Sequence, residues 1–106
     1  MPENEGKITP QAADFIDWAV REMEDPASYA EAIAQVQQRV VQFYAQYDQA
    51  ELVKRLHAKV IIGAKEHGEP YYPAEQLKTE IENEYVDLLG WMLIERWNKM
   101  KTNQES

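Results

Sequence analysis

In residues 85–94 only Asp87 and Gly90 interrupt the apolar side chains. The run sits inside 73–101, which carries helical periodicity and has no proline after Pro73. A helix that is apolar nearly all round belongs among other helices. The chain therefore has to supply those helices, and an all-α architecture follows. The first half of the same helix differs in character. Glu80, Glu84 and Asp87 are spaced four and three apart and share one flank.

The helix starts are written in the sequence. Thr9 precedes Pro10 and Asp25 precedes Pro26. In each pair a side-chain oxygen can accept an unpaired N–H, and proline loses nothing at the first helical position. Pro73 opens the last helix in the same way, with Glu75 in its favourable first turn. Neither glycine nor proline occurs between residues 27 and 62, so a single helix over 26–67 is open. A break near Tyr47 and Asp48 is the preferred reading, because Asp48 can cap a new helix and the apolar stripe changes phase there. His67 and Gly68 make an ordinary helix end, glycine lying just past the last turn. The predicted elements are helices at 10–24, 26–46, 49–67 and 73–101. They form one four-helix bundle domain over 1–106, with loose ends at 1–8 and 102–106.

The apolar positions say what these helices pack against. Phe15, Ile16, Ala19, Val20 and Met23 form the stripe of the first helix. Tyr29, Ile33, Val36, Val40, Phe43 and Tyr47 follow at steps of four and three, a heptad seam backed by a glutamine-rich outer face that includes Gln35. Leu52, Val53, Leu56, Val60, Ile61 and Ala64 share one arc of the third helix. Gly63 offers a close helix contact there, while Ile62 points away and needs a neighbour. The seam, Ile62 and the all-round apolar centre of the last helix present more apolar surface than four short helices hide. A homodimer is expected, with Tyr29, Ile33, Val36, Val40, Ile62, Trp91 and Trp97 as interface candidates.

Composition narrows the function classes. The 106 residues hold 19 acidic and 11 basic side chains, a net charge of -8. Such a balance disfavours nucleic acid, whose phosphates need Lys and Arg. It suits solubility, a cationic partner or a divalent ion. With no cysteine, disulfides and thiolate metal sites are excluded. No apolar run approaches the ~20 residues of a membrane span. The segment 1–7 lacks the apolar core of a signal peptide. A cytoplasmic protein without membrane contact is the expectation.

Few residues invite chemistry. A helical projection places Glu84 near Leu77, Leu88 and Trp91, inside the apolar arc, with Glu80 and Asp87 flanking it. A carboxylate there has to be paired, hydrogen-bonded or neutralised. Lys59, Lys65 or a histidine of the third helix are the candidate partners, and Glu84 is expected to be at least half-buried. Alternatively, Glu80, Glu84 and Asp87 hold magnesium or manganese, which prefer oxygen ligands. His57 and His67 lie about 15 Å apart along one helix, too far to share an ion. Trp18, Tyr71, Tyr72, Trp91 and Trp97 have no basic patch beside them for stacking nucleic-acid bases. No phosphate-binding glycine loop, H-E-x-x-H or nucleophile elbow is present, and no catalytic residue is assigned.

Gly63, His67 and Gly68, followed by Glu80, Glu84, Asp87 and the pair Leu88 and Leu89, resemble a pattern in small phage and bacterial helical proteins. Residues 55–100 are also similar to the MazG-type all-α nucleoside triphosphate pyrophosphohydrolases. That resemblance implies a magnesium site in which a Glu-x-x-Asp, here Glu84 and Asp87, works with a Glu-x-x-Glu from an earlier helix. The second motif has no counterpart, because Glu66 and Glu69 straddle a helix end. The reading adopted is a small acidic helical interaction or accessory protein, non-catalytic, whose partner is a second copy and possibly another protein. The alternative is a magnesium-dependent pyrophosphohydrolase or a nucleotide-binding relative that has lost catalysis.

Overall fold

The computed structural model describes residues 7–68 and 72–105. They form four α-helices, α1 (Pro10–Glu24), α2 (Pro26–Gln46), α3 (Gln49–His67) and α4 (Ala74–Glu105), an all-α helical bundle with no strand among the described residues. The expected ends at 1–6 and most of the loop between α3 and α4, residues 69–71, lie outside the described residues.

Each helix start uses the chemistry its residues offer. The Thr9 hydroxyl accepts from the Ala12 N–H at 3.1 Å, with Pro10 as the first helical residue. Asp25 accepts from Ser28 N–H at 2.9 Å and opens α2 directly after α1. Asp48 accepts from Glu51 N–H at 2.9 Å, which separates α2 from α3 and excludes one continuous helix. At the end of α3, Gly68 adopts φ 77°, a conformation glycine tolerates without strain, and its N–H donates to Ala64 at 3.0 Å.

Two expectations for α4 are corrected. The helix begins at Ala74, and Pro73 stands before it with its carbonyl accepting from Leu77 N–H at 2.9 Å. It also continues through Glu105, so residues 102–105 are helical rather than loose. Thr102, Asn103 and Gln104 are polar, but none breaks a helix. Each residue added to an existing helix gains a backbone bond at little cost.

The described chain divides into two compact units. Unit 1 contains α1, α2 up to Val36 and α4 from Leu88; unit 2 contains the rest of α2, α3 and α4 up to Asp87. Unit 1 holds the two fully buried apolar residues, Ala32 (1% exposed) and Leu93 (6%). Around them Phe15, Trp18 and Trp97 form an aromatic cluster with ring centroids 5.2–6.1 Å apart. Lys101 lies 4.5 Å over the Trp97 ring. Arg96 donates to Gln35 at 3.1 Å in a partly buried bond, so Gln35 is not merely outer surface.

Unit 2 is built differently. Phe43 and Tyr47 lie 5.1 Å apart, and the Arg55 guanidinium stacks 4.1 Å from the Tyr47 ring. Glu51 accepts from Arg55 at 3.2 Å and holds its pKa above the ordinary arginine value. No residue of unit 2 is fully buried among those described. Gly63 has nothing within 4 Å of the place a side chain would occupy, so the close helix contact expected there does not form within the chain.

The apolar stripe of α4 turns between the units. At about 100° per residue, Leu77, Ile81 and Tyr85 line one face, whereas Leu89, Leu93, Trp97 and Met100 line a face roughly a third of a turn away. The enclosed centre expected for this helix is therefore not observed. Tyr85, Val86 and Trp91 are each about two-thirds exposed, and Leu93 is the one buried member of the run. The second half of α4 is partly covered within unit 1, whereas its first half, residues 74–87, is exposed throughout.

Candidate functional site

The unusual feature of this protein is apolar surface. Large apolar side chains are exposed on all four helices, among them Ile16, Tyr29, Leu56 and Trp91. Isolated exposed aliphatics need no explanation, but contiguous ones mark contact surfaces.

In unit 2 the exposed aliphatics fall into two stripes. On α3, Val53, Leu56 and Val60 recur at steps of three and four and are 57%, 62% and 58% exposed. On the first half of α4, Leu77, Ile81 and Tyr85 recur every four residues. They border a shallow groove that also touches Ala74, Lys78 and Glu82. Both stripes have the period of a helix face meant to be covered.

The interface candidates divide accordingly. Tyr29, Val40, Ile62 and Trp91 are exposed, whereas Ile33, Val36 and Trp97 are half-buried. Ile33 and Val36 neighbour Ala32 on α2, and Trp97 belongs to the aromatic cluster of unit 1. The sequence seam thus runs from a partly covered half in unit 1 to an open half in unit 2. Val53, Leu56 and Val60, read from sequence only as a core arc, are among the exposed residues that sequence reasoning did not place at a surface. Their helical spacing was visible; their exposure was not.

The acidic flank of α4 is fully exposed. Glu80, Glu84 and Asp87 all face solvent, and no group of three His, Asp or Glu side chains able to hold a metal ion occurs among the described residues. Glu84 was expected to be half-buried and paired with Lys59 or Lys65. It is neither, because the stripe it borders has no cover within the chain and the carboxylate keeps its water. Among the described residues, Glu51 pairs with Arg55, Lys78 with Glu82 and Glu95 with Lys99, each across one helical turn. Exposed pairs of this kind contribute about 0.3–0.5 kcal/mol each. His57 and His67 are exposed, and His67 lies 3.7 Å from Glu66. Among the described residues no helix is long and apolar enough to cross a membrane.

Comparison with known protein families, with curated proteins and with solved structures returns no match for this chain.

Proposed function

We propose that this protein is a small acidic helical interaction protein that acts through protein–protein contacts, with a second copy of itself as its first partner and no chemistry of its own. The supporting observation is the pair of exposed apolar stripes on α3 and α4, in a unit where none of the described residues is buried. In obligate dimers the contact completes the core that the single chain leaves open.

Sedimentation velocity and thermal melting over about 1–100 µM test the reading, a range that brackets ordinary dimer affinities. Species heavier than 12.4 kDa, with a melting temperature that rises with concentration, are the expected result. A monomer melting cooperatively at a concentration-independent temperature overturns it. Magnesium-dependent release of pyrophosphate from nucleoside triphosphates would overturn the non-catalytic part alone.

A further inference from the structure

The two exposed stripes of unit 2 carry opposite charge. Helix α3 holds Lys54, Arg55, Lys59 and Lys65 against Glu51 and Glu66. The first half of α4 holds Glu75, Glu80, Glu82, Glu84 and Asp87 against Lys78. One helix is net basic and the other strongly acidic, although the protein as a whole is acidic.

The charges border the apolar residues. At about 100° per residue, Lys54 and Lys59 fall on the two sides of the stripe of Val53, Leu56 and Val60. Glu80 and Glu84 fall on one side of the stripe of Leu77, Ile81 and Tyr85, and Glu82 on the other. Within the chain, none of Lys54, Lys59, Glu80 or Glu84 has an ion-pair partner among the described residues. Arg55 is different, being held by Glu51 and Tyr47 on its own side of the unit.

We infer that α3 of one copy docks on the first half of α4 of a second copy, and the reverse, so that Lys54 and Lys59 face Glu80 and Glu84 across two equivalent contacts. A two-fold contact requires a self-complementary surface. A unit offering one basic apolar helix and one acidic apolar helix meets that requirement. A foreign partner would have to match both signs at once. The inference rests on the self-association proposed above and specifies its geometry.

The test is a charge swap on the full chain. One variant carries Lys54→Glu and Lys59→Glu, the other Glu80→Lys and Glu84→Lys. Each alone places like charges across both contacts and should raise its dimer dissociation constant at least tenfold. An equimolar mixture restores opposite charges at both contacts and should recover wild-type affinity to within about threefold, as a heterodimer. High salt should shrink all these differences, because the charges border rather than fill the contact. Circular dichroism of each variant checks that the helices remain, and a third pair carrying Lys59→Glu or Glu84→Lys alone gives the milder form of the swap. If wild type and both variants dimerise alike, or if mixing restores nothing, the α3–α4 pairing is wrong while self-association stands. If wild type is monomeric throughout, self-association and the pairing fall together.

Discussion

Replacing Leu56 by alanine separates a chain that is complete alone from one that is completed by its partner. Leu56 lies in the middle of the α3 stripe and is 62% exposed in the single chain. Removing a side chain at such a position costs a monomer within about 0.5 kcal/mol, because little burial is lost. Full burial of a leucine side chain is worth about 1.5–3 kcal/mol, so covering the exposed three-fifths is worth about 1–2 kcal/mol. A two-fold dimer loses that twice, about 2–4 kcal/mol, and its dissociation constant rises roughly 30- to 700-fold. Sedimentation equilibrium of wild type and Leu56→Ala over a shared concentration series reads this directly. Helix content should be unchanged at concentrations where both are assembled. An affinity within threefold of wild type would show that the α3 face is not covered in the assembly, and would refute the reasoning whatever the mass observed.

Leu93→Ala acts in the opposite regime: it opens a cavity in unit 1, should cost about 2–5 kcal/mol in urea unfolding, and should disturb the Trp18 and Trp97 emission of the neighbouring cluster. Asp48→Ala removes the acceptor for Glu51 N–H and should cost about 0.5–2 kcal/mol, whereas Asp48→Asn should stay close to wild type, both read by thermal melting. Glu84→Ala should change the stability of dilute, dissociated protein by no more than about 0.5 kcal/mol, since the carboxylate is exposed. Magnesium or manganese should raise the melting temperature of wild type and Glu84→Ala equally or not at all; a rise confined to wild type would establish a metal site on α4.

The helix boundaries were legible because they depend on local chemistry. A hydroxyl or carboxylate beside a proline, an aspartate at a change of stripe phase and a glycine after the last turn each act within four residues, and the starts and ends of α1, α2 and α3 agree with the sequence reading. The far end of α4 was missed for a related reason: polar residues were read as a terminator, but only a missing N–H or an unfavourable backbone ends a helix. Burial is not local. Glu84 lies within an apolar arc in sequence, yet what desolvates a carboxylate is the element opposite, and the chain supplies none there. Ala32 was missed from the other direction. It is too small to stand out in a hydrophobic pattern, and it is buried because a small side chain permits close packing.

The same distinction explains how one helix serves both units. A 32-residue helix with a single continuous stripe would commit its whole length to one packing partner. In α4 the stripe turns by roughly a third of a revolution near Leu88, so the two halves address different neighbours. The second half finds its cover within unit 1, where Leu93 is buried and Trp97 meets Phe15 and Trp18. The first half carries its own apolar stripe of Leu77, Ile81 and Tyr85, which is exposed. Acidic residues border that open face and basic ones border the open face of α3, on a chain whose net charge of -8 would otherwise oppose self-association. Like charge over a whole surface repels, whereas segregated charge attracts where opposite regions meet. In the proposed dimer, the segregation would let two copies of an acidic chain approach, and the apolar stripes would supply the free energy of contact.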